Sequence, residues 1–215
     1  MCRPCRLVRP AFERAVAHGL CQGTMRSLLH LLKNEGWEPV AQRLGVLIAA
    51  QVAAIPDLPK SMLVIPVPLF KARRRERGFN QAELLARAAR GAMRNLRSDW
   101  EGQFAPGVLA RQRATESQAG LSLHQRRRNL HGAFFASDPS RVRDRNVLLI
   151  DDIYTTGATA RACSLALRRA GAASVWVATV ARAQRRQIES FRPETTAEAP
   201  MHQDVAMWDG GTTLQ

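Results

Sequence analysis

Short apolar runs alternate with amphipathic stretches along most of the chain. Leu28, Leu29, Leu31 and Leu32 recur at helical spacing in MRSLLHLLKNEG (25–36), and Gly36 follows as a C-cap. EPVAQRLGVLIAAQVAAIP predicts a second helix, with Pro39 in its first turn and Pro56 beyond its end. MLVIPVP (62–68) is a brief apolar run between breakers, which predicts a buried strand. A helix follows over 78–96, with Leu84, Leu85, Ala88 and Ala92 on its apolar face. Residues 97–130 lack regular periodicity and are rich in Arg and Gln, with a short helical piece expected over 123–130. AFFA (133–136) and RNVLLIDD (145–152) predict strands, 157–171 a helix capped by Gly171, and ASVWVATVAR (173–182) a further buried strand. Residues 1–23 read as short, basic and irregular, and the tail from about Gln184 as disordered or loosely attached. Apolar strands alternating with helices predict an α/β fold, a parallel sheet covered on both faces.

Composition refines this picture mainly through charge. At 215 residues, 46% hydrophobic and 23% charged, the chain is long enough for one well-buried domain of ordinary globular make-up. Lys plus Arg number 32 against 18 Asp plus Glu, a net charge of +14, and most of the cations are arginine. Arginine suits bidentate contact with phosphate, so the excess points to anionic partners: phosphorylated small molecules, nucleic acid or an acidic protein surface. No apolar stretch reaches the ~18 residues of a membrane helix. No apolar signal-peptide core follows the basic start, so the expectation is a cytoplasmic protein without membrane insertion. Four cysteines do not make a disulfide framework in such a chain.

The candidate chemistry is concentrated in VLLIDDIYTTGAT (147–159). In an open parallel sheet, ligands bind beyond the carboxyl ends of the strands. Asp151 and Asp152 fall at such an end, and YTTGAT is the loop into the next helix. Its backbone N–H groups make an anion cradle. Thr155, Thr156 and Thr159 add hydroxyls, and Gly157 lets the backbone approach a phosphate. The carboxylates repel that phosphate, but they can accept hydrogen bonds from hydroxyls on the same ligand or help hold a cation. A ribose 5-phosphate satisfies both halves. A second strand end, at Pro66, Val67 and Pro68, runs into a dense basic cluster: Lys71, Arg73, Arg74, Arg75 and Arg77. Such a cluster suits pyrophosphate or a nucleic-acid backbone, or is simply a solvated loop. Asn80 and Gln81 open the next helix, as ligand contacts or as plain helix-start residues. The basic stretch 109–134 offers Arg111, Arg113, Gln118, Arg126 and Asn129 as further contacts. Phe70, Phe79 and Phe134 flank these clusters and could form a modest stacking platform, although aromatics are only 6% of the chain.

VLLIDDIYTTGAT resembles the 5-phosphoribosyl 1-pyrophosphate (PRPP) motif of type I phosphoribosyltransferases. That resemblance implies a Rossmann-like parallel sheet with a flexible hood. It gives Asp151 and Asp152 to the ribose hydroxyls and to Mg²⁺ held through waters, and residues 155–159 to the 5-phosphate. The implied reaction displaces pyrophosphate from the ribose C1, with the carboxylates stabilising developing positive charge. Together with LLHLLKNEG (28–36), PVPLFKARRRERGFNQAELL (66–85) and the 109–134 stretch, the motif makes the chain similar to the ComF family. Members have a phosphoribosyltransferase domain behind an N-terminal zinc segment, and they are linked to single-stranded DNA handling in natural transformation with a helicase-like partner. The organisation expected is a remnant of the zinc segment over 1–23, the phosphoribosyltransferase-like domain over 24–183 and a tail over 184–215. Cys2 and Cys5 make one CxxC pair, whereas structural zinc wants four ligands. Either the true start lies upstream or the zinc has been lost. Cys21 and His18 lie at unconvincing spacing, and Cys163 reads as a core residue. Two other readings stay open. One is an active transferase of nucleotide salvage. The other is a non-enzymatic DNA-binding or regulatory module, monomeric or oligomeric.

Overall fold

The computed structural model describes residues 9–112 and 132–183. Its strands are β1 (Arg14–Leu20), β2 (Ser61–Pro66), β3 (Glu101–Phe104), β4 (Leu109–Arg111), β5 (Phe134–Ala136), β6 (Asn146–Tyr154) and β7 (Ser174–Arg182). Its helices are α1 (Gly23–Glu35), α2 (Glu38–Ala53), α3 (Lys71–Arg77), α4 (Gln81–Leu96) and α5 (Ala158–Arg169). Five strands form one sheet in the order β1-β7-β6-β2-β3, every pair parallel, and β4 and β5 form a small antiparallel ribbon.

Side chains alternate across a strand, so each apolar run feeds two cores. Met62, Val64, Leu148, Ile150, Trp176 and Ala178 pack under α1, α2 and α4. Leu63, Ile65, Val147, Leu149, Val175 and Val177 pack under α5 and the ribbon. With both faces buried the strands need apolar runs through their centres, which is why β2, β6 and β7 stand out in the sequence. The parallel α/β architecture expected from the pattern is the one found. Helices α2 and α4 touch through backbone: a Cβ on Gly45 would stand 2.8 Å from the Ala89 nitrogen.

Several expectations are corrected. Arg14–Leu20, read as irregular, is the edge strand β1, paired with β7 from Arg14↔Trp176 to Leu20↔Arg182. The sheet therefore reaches back past residue 24. RAVAHGL mixes Arg, His and small residues with one Val and one Leu because an edge strand buries little, so its apolar signal is weak. β3 and β4 lie in the 97–112 stretch that lacked periodicity; four and three residues are too few to show alternation. The basic cluster after Pro68 is the short helix α3, which no apolar face announced because none of its residues is buried. The helix expected from 78 begins at Gln81. Among the described residues no helix is long and apolar enough to cross a membrane. The tail over 184–215, the helical piece at 123–130, the hood residues Arg113, Gln118, Arg126 and Asn129, and Cys2 and Cys5 lie outside the described residues.

Candidate functional site

β6 outlasts its neighbour β2, and the acidic pair marks that point. The last bond between them runs from the Val67 N–H to the Ile150 carbonyl, at 2.9 Å. In a parallel ladder the Asp152 N–H faces the same side as that carbonyl and would look for the Val67 carbonyl. That carbonyl is instead taken by Asn80 Nδ2 at 3.1 Å. Asp151 Oδ1 accepts the Asp152 N–H at 2.9 Å, and Asp152 Oδ1 accepts the Ile153 N–H at 2.8 Å. The two carboxylates thus finish the strand's own hydrogen bonding.

Neighbouring residues on a strand point to opposite faces, and the pair divides accordingly. Asp152 continues the Leu148–Ile150 row under α1 and is buried, with Lys33 Nζ 3.3 Å from its Oδ2. Burial pushes its carboxyl up, but the Lys33 ammonium and the hydrogen bonds to its oxygens outweigh this and bring it below the ordinary range. Asp151 continues the Val147–Leu149 row toward α5 and the ribbon and is half-buried. Burial, then the Asp152 charge, raise its carboxyl well above the ordinary range. On that face it senses Arg111, whose guanidinium is pulled down by burial and lies 5.6 Å over the Phe134 ring. Cys163 is fully buried there, its thiol pushed up by burial and then by Asp151, as befits a core residue.

The loop after β6 has the form expected of it. Gly157 sits at φ 74°, and a Cβ there would run into the Tyr154 hydroxyl. Thr156 Oγ1 accepts the Ala158 N–H at 3.3 Å, tightening the turn. Thr155, Thr156 and Thr159 are half-exposed, whereas Ala158 is buried and offers backbone only. The first turn of α5 holds no acidic residue, so nothing there competes with an anion.

The end of β2 is built by Phe79 and Asn80. Pro66 and Val67 are buried and Pro68 half-buried. Asn80 is the N-cap of α4: its Oδ1 accepts the Ala82 N–H at 3.1 Å while Nδ2 holds Val67. Both ends of its amide are committed, so its place is that of a helix-start residue. Gln81 is buried, 3.5 Å from Arg77 Nη1. The Phe79 ring lies against Gly36, whose missing Cβ would stand 2.7 Å from it, and this joins the end of α1 to the start of α4. Asn80→Ala should cost about 2–3 kcal/mol, the cap plus a stranded Val67 carbonyl. Urea denaturation would check this, and a loss under about 1 kcal/mol would contradict the double role. Of the three expected stacking aromatics Phe134 is buried, whereas Phe70 and Phe79 stay half-buried, with Phe79 also packed on Gly36.

Lys71 to Glu76 are exposed, Arg77 half-exposed. Arg74 reaches Glu83 at 3.3 Å, and Glu83 also holds Arg87 at 3.2 Å. Arg73 is near enough to Arg111 to depress it. The structure thus brings Asp151, residues 155–159, Arg111 and Arg73 to one edge. Among the described residues no three His, Cys, Asp or Glu stand together. A metal cage made by the protein alone is therefore not offered there. A single half-buried carboxylate does suit Mg²⁺, which keeps waters and takes most of its ligands from substrate phosphates. Sequence reasoning missed Lys33. The available signal was a lysine four residues after Leu29, on the helix's buried stripe.

The phosphoribosyl transferase domain model matches residues 77–201. The chain is 33% identical to the DNA utilization protein YhgH of Escherichia coli O157:H7, over 82% of this chain and 75% of that one. It is 31% identical to competence protein F of Haemophilus influenzae, over 85% and 78%. Among solved structures, an allosteric regulatory enzyme of purine biosynthesis aligns at a TM-score of 0.38 with 21% identity. That alignment takes in 65% of this chain and 25% of that one. The chain belongs to the phosphoribosyltransferase-domain family and, within it, to the ComF family of competence and DNA-utilization proteins.

Proposed function

We propose that the carboxyl edge of β6 binds PRPP, or a related phosphorylated ribose, together with Mg²⁺, in a cytoplasmic protein that handles single-stranded DNA. The observation that carries this is the pairing of half-buried Asp151 with a left-handed glycine loop at the start of α5, three residues beyond the end of β6. Asp151, backed by Asp152, accepts hydrogen bonds from ribose hydroxyls. The loop N–H groups and the hydroxyls of Thr155, Thr156 and Thr159 take the 5-phosphate. Arg111, with Arg73, Lys71 and Arg77 beyond it, faces the pyrophosphate. Bound Mg²⁺ would neutralise charge on the pyrophosphate. If an acceptor enters, the Asp151 carboxylate stabilises positive charge growing on the sugar as pyrophosphate leaves. The link to DNA rests on the names of the relatives, and the exposed cationic helix α3 supports it.

Isothermal titration tests both halves, with PRPP and Mg²⁺ as one titrant and single-stranded DNA as the other. Saturable PRPP binding that weakens when Mg²⁺ is chelated is expected. DNA binding without any PRPP binding would overturn the sugar-phosphate reading and leave the fold as a nucleic-acid scaffold.

A further inference from the structure

We propose that Lys33 is a positioning residue of this site: it holds Asp152 on the α1 face of the sheet, leaving Asp151 alone to meet the ligand. This rests on the reading of the β6 edge as a sugar-phosphate site, and it divides a pair that the family resemblance treats as equivalent.

The argument begins with the cost of a buried carboxylate. Asp152 is 6% exposed. Its Oδ1 is spent on the Ile153 N–H. Its Oδ2 is buried, away from water. What compensates that oxygen is the Lys33 ammonium at 3.3 Å, on a side chain that keeps a quarter of its surface in solvent. Removing one partner of such a pair strands the other charge, and the loss is far larger than the pair's own net worth. The stem of Lys33 reaches Asp152 because Leu29 and Leu32 seat α1 in the core, and because Phe79 packs on Gly36 at its end. The position of Lys33 is therefore set by the same Phe79–Asn80 segment that caps α4 and holds the end of β2.

The two carboxylates lie close enough to interact directly, and Asp151 also senses Lys33, but the remaining partners of each differ. On the α1 side, Asp152 and Lys33 are joined by buried Cys21 and by Arg26. On the α5 and ribbon side, Asp151 meets Arg111 and Cys163, with Arg73 beyond. Lys33 acts on the ligand only through Asp152 and the backbone that Asp152 closes, so it touches no reacting atom. Without Lys33, the Asp152 carboxylate would turn toward water at the strand end, disturbing the Ile153 N–H bond and the loop that follows.

The test is a set of titrations of Mg²⁺ and PRPP into wild type, Asp151→Asn, Asp152→Asn, Lys33→Met, Lys33→Arg and the double variant Lys33→Met with Asp152→Asn. Each is first checked for folding by circular dichroism. Asp151→Asn should weaken binding by at least about thirtyfold, and Asp152→Asn by about threefold. Lys33→Met should weaken it about tenfold, Lys33→Arg should keep it, and adding Asp152→Asn to Lys33→Met should restore most of it. Equal losses from the two Asp variants, or wild-type affinity in Lys33→Met, would overturn the inference. If wild type binds no PRPP, the functional reading fails instead. The division of the pair is then read by carbodiimide labelling with glycinamide and mass spectrometry. Asp151 should label and Asp152 stay protected in wild type, and equal labelling would overturn it. That measurement, with Lys33→Arg and Asp152→Asn, also decides the matter if Lys33→Met does not fold.

Discussion

Alanine at position 157 is expected to lower stability by about 2–3 kcal/mol and to remove most of the binding of a phosphorylated ribose. Gly157 sits at φ 74°, where an L-residue with a Cβ loses about 1–2 kcal/mol. That strain alone would be survivable. The larger problem is the Tyr154 side chain, whose hydroxyl occupies the space a Cβ would need, with its Cζ 2.6 Å from that position. Either the ring or the turn must move. The turn holds the Thr156–Ala158 hydrogen bond and sets the direction of the α5 N–H groups, so a moved turn no longer points its donors at one anion. Adding Tyr154→Phe removes the hydroxyl but leaves the ring carbon in contact, so the double variant should recover less than half of the stability. Thermal denaturation should show a fall of about 5–10 °C for Gly157→Ala. Calorimetry with ribose 5-phosphate should show binding weakened by about 100-fold, two lost donor contacts' worth. Unchanged affinity would mean that the phosphate is held elsewhere.

The sequence was most legible where burial is heaviest. β6, β7 and β2 carry apolar runs through their centres because both sheet faces are covered there. The loop from Tyr154 to Thr159 was legible because a left-handed glycine and small hydroxyl residues are hard to explain otherwise. Edge strand β1 and the two short strands β3 and β4 were not, since each buries too little to leave a pattern. Two details were present in the sequence but lost to the weight of the family resemblance. Adjacent strand residues start toward opposite faces, so Asp151 and Asp152 enter the strand end with different neighbours. Asn80 followed three residues later by Glu83 has the spacing of a capping box. The structure forms a plain cap instead, Asn80 accepting the Ala82 N–H while Glu83 turns to Arg74 and Arg87. Lys33 needed the structure, because only the register of α1 over the end of β6 shows that a lysine on an apolar stripe has a buried carboxylate to reach.

Replacing Arg73, Arg74 and Arg75 by glutamate should weaken single-stranded DNA binding by about 100-fold at low salt and flatten its salt dependence by about two units of slope. Helix α3 has seven residues, none buried, and it holds Lys71 and Arg75, and Arg73 and Arg77, four positions apart. Like charges at that spacing oppose the helix by about 0.2–0.5 kcal/mol per pair. A helix that packs nothing and repels itself is relieved by an anion laid along it, which is the physical reason to expect a phosphate chain there. The same exposure makes the variant safe for the fold. The Arg74–Glu83 pair that it breaks is a surface pair, worth under about 1 kcal/mol. Measuring affinity from 50 to 200 mM salt gives the slope directly, and an unaltered slope would place the DNA on another surface. Titrating PRPP into the same variant separates two uses of the cluster. Arg73 lies close to Arg111 and so to the pyrophosphate end of the proposed site. Loss of DNA with PRPP retained would assign α3 to the polymer alone. Loss of both would make the helix a shared phosphate surface, on which bound PRPP and DNA compete.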